Sequence, residues 1–413
     1  MASKKTAAIS NPRNPRGTAV IGQSGGPTVV INQSLVGVVE TLRGQPGIEK
    51  VLGCLHAVAG IVKDQYVELQ TIPQDRLERV AQTPSSALGS SRDKPDAEYC
   101  KRIFESFARQ NVRYFFYIGG NDSSDTCRIV NDLARQAGYE LRAFHVPKTI
   151  DNDLLHNDHT PGFGSAAKFV AQAFMGDNLD NRSLPGVKIN VIMGRNAGFL
   201  TAASILARQT ASDGPHLIYV PEVAFDVDKF LANVDATYKT HGRCLIAVSE
   251  GIHDAAGKLI GVKLAEQSNT PVERDSHGNV QLSGSGALGD YLAAAIKKGL
   301  KIKRVRADTF GYLQRSFAGC VSATDAEEAR IAGRKAAELA LAGVADGSIA
   351  IQRVSDAPYR VEYKRIELAA VAGKTRTLDL EYIVDGKHIA DSFREYLKPL
   401  VGPLPVVESL RER

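Results

Sequence analysis

Short apolar runs alternate with stretches of helical period along this chain, and glycines or polar residues stand where the apolar runs stop. The runs of strand length cover residues 18–21, 51–55, 58–62, 112–118, 141–146, 187–192, 216–220 and 244–248. Helical patterns cover 29–42, 99–109, 126–136, 166–175, 199–208, 228–240, 290–298 and 324–341, with a shorter C-terminal helix near 392–397. Such alternation demands right-handed crossovers and parallel sheets. Ligands of open parallel sheets bind outside the carboxyl ends of the strands. Gly25, Asp122, Asp151, Arg195, Glu222 and Glu250 stand at those ends. The expected fold is therefore α/β, with two doubly wound, mostly parallel-sheet domains and a cleft between them.

At 413 residues, 43% hydrophobic and 23% charged, the chain has material for two or three domains with full cores. A net charge of +5 favours anionic ligands mildly and does not call for nucleic acid. The densest basic cluster, Lys297, Lys298, Lys301, Lys303, Arg304 and Arg306, reads first as a solvated helix end and second as a phosphate site. Cys54, Cys100, Cys127, Cys244 and Cys320 are odd in number and contain no CxxC pair, which suits reduced core thiols in a cytoplasmic protein. No apolar run reaches the ~18 residues of a membrane span. Residues 1–16 are polar and basic, and read as a flexible tail rather than a signal peptide.

The densest chemistry lies in Val146-Pro147-Lys148-Thr149-Ile150-Asp151-Asn152-Asp153. Pro147 ends regular structure. Asp151 and Asp153 are close enough to be driven toward different roles, although an Asp-Asn-Asp turn is the simpler reading. Two strand–glycine–helix junctions precede it in sequence, Gly22-Gln23-Ser24-Gly25-Gly26-Pro27 and Gly119-Gly120-Asn121-Asp122-Ser123, a geometry that offers backbone N–H groups to phosphate. Asp122 is out of place beside an anion: either no phosphate approaches, or the carboxylate excludes one. His156-Asn157-Asp158-His159 matches no zinc spacing and reads as an exposed loop. Gly284-Ser285-Gly286-Ala287-Leu288-Gly289 matches GxGxxG literally, but follows no strong strand and lacks the acidic residue ~20 positions on. Ala372-Gly373-Lys374-Thr375 lacks a P-loop's first glycine, because Leu368 occupies that place.

Taken together and in order, Gly25-Gly26, Gly119-Gly120-Asn121-Asp122-Ser123, Pro147 to Asp153, Met193-Gly194-Arg195, Glu250 and Tyr312-Leu313-Gln314-Arg315 resemble the phosphofructokinase family over roughly residues 18–330. That family's ATP enzymes typically carry glycine where Asp122 and Lys148 stand, so the resemblance points to its pyrophosphate-dependent branch. It implies Mg²⁺-dependent, reversible phosphoryl transfer from pyrophosphate to the 1-hydroxyl of fructose 6-phosphate, a glycolytic step. Asp151 would be the general base, with Thr149, Ile150 and Asp153 shaping its site. Met193, Gly194 and Arg195 would contact the sugar and the migrating group, and Glu250 the sugar hydroxyls. Tyr312 and Arg315, helped by Arg306, would hold the 6-phosphate. Gly25, Gly26, Ser123 and Arg92 would lie along the donor. Asn121 stands where the family often has a magnesium-binding aspartate, and its amide oxygen is a weaker, neutral ligand. The likeness further implies a homodimer or homotetramer, with part of the sugar-phosphate site supplied by a neighbour.

Donor choice would rest on Asp122 and Lys148. A carboxylate ~4 Å from ATP's α-phosphate, at an effective dielectric near 20, costs about 4 kcal/mol, or roughly a thousandfold. Pyrophosphate has no third phosphate to collide, and Lys148 offers it a compact charge. On this reading residues 17–162 with about 314–365 form the donor domain, and 163–313 with about 366–413 the sugar-phosphate domain. The rivals are an ATP-dependent phosphofructokinase, a sedoheptulose-7-phosphate kinase using pyrophosphate, an NAD-dependent oxidoreductase built on Gly284 to Gly289, and a non-catalytic sugar-phosphate sensor.

Overall fold

Alternate residues of the central strands enter opposite cores, as a sheet covered on both faces requires. In the computed structural model, which describes residues 14–93, 95–267, 286–408 and 410, the main strands are β1 (Gly17–Gln23), β2 (Ile48–Cys54), β3 (Tyr66–Glu68), β4 (Val112–Gly119), β5 (Arg142–Pro147), β6 (Val187–Ile192), β7 (Leu217–Tyr219), β8 (Cys244–Ser249), β9 (Val305–Thr309), β10 (Asp346–Asp356) and β11 (Tyr359–Ile366). The chain divides into two units. The first comprises Met1–Thr149, Leu154–Gly162 and Ala326–Thr375; the second comprises Ile150–Asp153, Phe163–Asp325 and Arg376–Arg413.

The first unit is built on a seven-stranded sheet of order β11-β10-β5-β4-β1-β2-β3. Its interior pairs are parallel, while β3 and β11 add antiparallel edges. Ala19, Ile21, Phe116, Ile118 and Val146 pack on one face with helices Ile31–Leu42 and Ala323–Leu341. Val20, Phe115, Tyr117 and Ala143 pack on the other with helices Ala97–Arg109 and Asn121–Gln136. The chain leaves β1 toward β2 on one side, and β4 lies on the other. The carboxyl ends of β1 and β4 therefore flank a topological switch point.

The second unit has a four-stranded parallel sheet of order β7-β8-β6-β9. Val187, Ile189, Val191, Ile246 and Val248 meet helices Val227–His241 and Ala287–Leu300. The long helix Phe163–Ser183 contacts β6 and β8.

Several expectations need correction. Residues 58–62 are not a strand: Val58–Ile61 is a helical turn entered through positive φ at His56 and Ala57. A four-residue apolar run does not distinguish buried helix from strand. Residues 156–159 are an exposed loop only at His156, since His159 is 2% and Asn157 4% exposed. The stretch 199–208 is a five-residue α-helix, Phe199–Ala203, continued by a 3-10 turn, Ser204–Ala207. The β10–β11 hairpin went unread. Of the expected tail, residues 1–13 lie outside the described residues, but 14–16 are held: the Pro15 carbonyl accepts from Tyr114 Oη (2.8 Å), and Asn14 Nδ2 donates to the Leu341 carbonyl. Gly284 and Ser285 of the GxGxxG pattern also lie outside the described residues. All five cysteines are buried free thiols. Among the described residues no helix is long and apolar enough to cross a membrane.

Candidate active site

In the first unit, the glycine junctions after β1 and β4 are tied together. Ser123 Oγ donates to Ser24 Oγ (2.9 Å), and the Ser24 N–H donates to the Ile118 carbonyl (2.9 Å). Gly25 has φ +74°, a region L side chains rarely adopt, and a Cβ there would lie 3.3 Å from Lys148 Nζ. Lys148 is 3% exposed, and its ammonium donates to the Gly26 carbonyl (2.6 Å). Gly25, Gly26, Lys148 and Ser123 thus converge on the switch point. The small-residue loop before Arg92 is knitted to the same place: the Gly25 N–H donates to the Ser91 carbonyl (3.0 Å), and Ser90 Oγ donates to the Gly25 carbonyl (2.6 Å). Half-buried Arg92 follows directly.

Helix Asn121–Gln136 starts five residues earlier than its apolar period suggested, and places Asp122 in the first turn. A carboxylate there stabilises the helix by about 0.3–1 kcal/mol and offsets the positive end that would otherwise draw an anion. Asn121 Oδ1 accepts the Asp122 N–H (2.8 Å). That oxygen has one lone pair committed to the backbone, and among the described residues no group of three or more His, Cys, Asp and Glu could hold a metal.

Three buried polar groups in this unit were not singled out from the sequence. Gln23 Nε2 donates to Asn32 Oδ1 (2.8 Å), while Gln23 Oε1 accepts the Leu88 N–H (3.0 Å), fixing the loop before Arg92. His145 Nε2 bonds the Gly119 carbonyl and its Nδ1 bonds Ser348 Oγ, each at 2.8 Å. Burial, reinforced by the Lys148 charge, pushes His145 down to about 4. A neutral ring must therefore donate from Nε2 to Gly119 and accept at Nδ1. The same Gly119 carbonyl also accepts the Lys148 N–H (3.0 Å). Only the buried environment identifies these groups; nothing in their sequence spacing does.

Thr149 closes the first unit's part of the central stretch. Its N–H donates to the Pro161 carbonyl (3.2 Å) and its carbonyl accepts Thr160 Oγ1 (2.8 Å). Just before these, His159 lies between Asp158 (2.7 Å) and Glu328. Burial opposes its protonation, but those two carboxylates outweigh burial and raise it to about 9.

In the second unit, Ile150 is buried and Asp151 and Asp153 are half-buried on a turn centred on Asn152, with φ +59°. Met193, Gly194 and Arg195 follow β6, and Glu250 follows β8. Gly194 has φ +137°, and a Cβ there would stand 2.5 Å from the Ala197 carbonyl oxygen. Ser249 Oγ holds the Gly194 carbonyl (2.6 Å), and the Glu250 N–H donates to the Ile192 carbonyl (2.9 Å). Buried Gln314 accepts the Met193 N–H (3.4 Å) from the 3-10 turn Gly311–Arg315 after β9. Arg315 lies over the Tyr312 ring at 4.6 Å. Met193, Gly194, Arg195, Glu250, Tyr312 and Arg315 therefore share the carboxyl end of this sheet. Arg306 does not: it is exposed at the second residue of β9, ~10 Å of strand before that end. Glu222 is a bracket rather than a ligand group, with Oε1 accepting the N–H groups of Gly198 and Leu378, each at 2.8 Å. Burial raises its pKa.

The phosphofructokinase profile matches residues 18–340. A pyrophosphate–fructose 6-phosphate 1-phosphotransferase of Rhodospirillum rubrum is 56% identical over 388 residues, covering 94% of this chain and 95% of the relative. One of the same name from Halomonas elongata is 38% identical, covering 93% and 91%. The crystal structure of a pyrophosphate-dependent phosphofructokinase from Marinobacter aquaeolei superposes with a TM-score of 0.82 at 34% identity, covering 96% of this chain and 95% of that one. With its sheet order, its strand-end groups and these likenesses, the chain belongs to the phosphofructokinase family.

Proposed function

We propose that this chain transfers a phosphoryl group reversibly from pyrophosphate to the 1-hydroxyl of fructose 6-phosphate, giving fructose 1,6-bisphosphate and orthophosphate. The observation that carries this reading is Lys148, a buried lysine whose ammonium lines the Gly25-Gly26 turn. A donor without an adenosine has little besides its charge to bind by, and a desolvated ammonium beside a glycine turn supplies the counter-charge compactly. Asp122, in the first turn of the neighbouring helix, repels the extra phosphate of a nucleotide.

Phosphoryl transfer asks the protein mainly for positioning and charge neutralisation. Lys148 and Arg195 supply positive charge to the migrating group. Asp151 accepts the 1-hydroxyl proton late, once the donor bond has loosened, because a carboxylate is far less basic than an alkoxide. Tyr312 and Arg315 hold the 6-phosphate, and Glu250 the ring hydroxyls. Mg²⁺, when bound, would supply further positive charge to the diphosphate, with Asn121 Oδ1 as the side-chain oxygen available to it beside substrate phosphates and water. The reading includes a homodimer or homotetramer. Its support is the exposed Arg306, set apart from the other sugar-phosphate groups, together with the exposure of Tyr312, Leu313 and Phe317, at 46%, 63% and 46%. Steady-state turnover with pyrophosphate and with ATP, at saturating fructose 6-phosphate and Mg²⁺, tests the donor assignment. Replacing fructose 6-phosphate by sedoheptulose 7-phosphate tests the acceptor.

A further inference from the structure

We infer that Arg376 and Tyr396, both outside the residues 18–340 that the family profile matches, are positioning residues for the turn that carries Asp151. The inference rests on the reading of Asp151 as the base. Asn152 follows Asp151 directly, has φ +59° and is completely buried. A non-glycine residue persists in the left-handed region only when its surroundings hold it there. Three hydrogen bonds do so. Arg376 Nε donates to the Asn152 carbonyl (3.0 Å), the Arg376 N–H donates to the Asp153 carbonyl (2.8 Å), and Asn152 Nδ2 donates to Tyr396 Oη (3.2 Å). One arginine thus fixes the carbonyls of both residues that follow the base, and with them the direction of the Asp151 side chain.

The buttress reaches further. The Arg376 guanidinium lies 4.8 Å over the Phe199 ring, and Phe199 opens the helix that follows the Met193-Gly194-Arg195 loop. Phe199 meets Phe393 at 6.3 Å, and Phe393 stacks on Tyr396 at 5.4 Å, both on the C-terminal helix Asp391–Val401. The C-terminal segment therefore links the turn bearing the base to the element behind Arg195. Lysine lacks the planar fork needed to repeat this bond and stack together.

The experiment compares wild type, Arg376→Ala, Arg376→Lys and Tyr396→Phe for kcat, for KM of pyrophosphate and for Tm. Misplacing a catalytic group by ~1 Å costs about a hundredfold. Arg376→Ala is expected to lose kcat by about that factor, with KM for pyrophosphate within about twofold of wild type and with partial recovery in millimolar guanidinium. Arg376→Lys is expected to keep part of the loss, and Tyr396→Phe to lose roughly three- to tenfold in kcat. Should Arg376→Ala fail to fold, the other two variants carry the same test. Wild-type kcat in folded variants would overturn the inference, as would losses of kcat that merely track Tm and show no rescue. If wild type itself does not turn over pyrophosphate, it is the functional reading that fails, not the buttress.

Discussion

In the proposed function Lys148 and Asp122 act on the donor through opposite charges, so their substitutions separate cleanly. Lys148→Met is expected to cut kcat with pyrophosphate by about 10²–10³, the size of losing one preorganised charge partner. Steady-state kinetics beside an unchanged melting curve checks it. Asp122→Gly is expected to raise ATP turnover from background while pyrophosphate still works, and the pair with Lys148→Gly to raise it further. If ATP fails to serve even the double variant, the exclusion lies elsewhere. Asp151→Ser is expected to lower turnover by about 10²–10⁴ while calorimetry still finds fructose 6-phosphate binding. A variant that keeps turnover removes Asp151 as the base. Most of these residues were legible because they stand at strand ends, where a polar side chain after an apolar run has few structural reasons to be. That Arg306 sits early on β9, away from the strand's carboxyl end, was not legible, because motif order carries no information about how far along a strand a residue sits. Arg376 and Tyr396 act through backbone carbonyls far away in sequence, and no local pattern marks such bonds.

Two buried histidines on neighbouring segments set opposite edges of a pH window. His145 is held down to about 4, so below the unfolded value of 6.5 the unfolded chain binds the proton that the folded chain refuses. Its cost grows as pH falls from 6.5 toward 4. His159 is held up to about 9, so its stabilisation is complete below 6.5 and is lost as pH rises through 9. Tm is expected to be highest near neutrality and to fall by several degrees toward both pH 4.5 and pH 10. His159→Gln should flatten the alkaline limb and spare the acid one; scanning calorimetry across pH checks both. An alkaline limb unchanged in that variant contradicts the assignment. The sequence suggested an exposed loop at His159 because Asn, Asp and His ordinarily mark one. What keeps it inside is Glu328, from a helix 169 residues on, together with Asp158. The β10–β11 hairpin was missed for a related reason. Its outer strand alternates charged residues with Val361 and Tyr363, as an exposed edge should, so no apolar run announces it.

In the whole chain, the groups proposed for the donor belong to one unit and most of those proposed for the sugar phosphate to the other, and one passage between the units falls at Thr149 and Ile150. Both sheets and both sets of strand-end groups could be anticipated, because parallel sheets confine chemistry to one edge whatever the loops contain. The two late crossings, expected near 313 and 365, fall at Asp325 and Thr375 in the structure, because an alanine-rich helix and a polar turn read alike on either side of a boundary. Sedimentation is expected to find a dimer or tetramer, with Arg306→Ala raising KM for fructose 6-phosphate. A fully active monomer contradicts that part of the account. The most direct test of the central claim is the ratio of kcat/KM for pyrophosphate to that for ATP, measured on wild type with Mg²⁺ and saturating fructose 6-phosphate. The charge at Asp122 predicts a preference for pyrophosphate of roughly a thousandfold; comparable turnover with the two donors contradicts it.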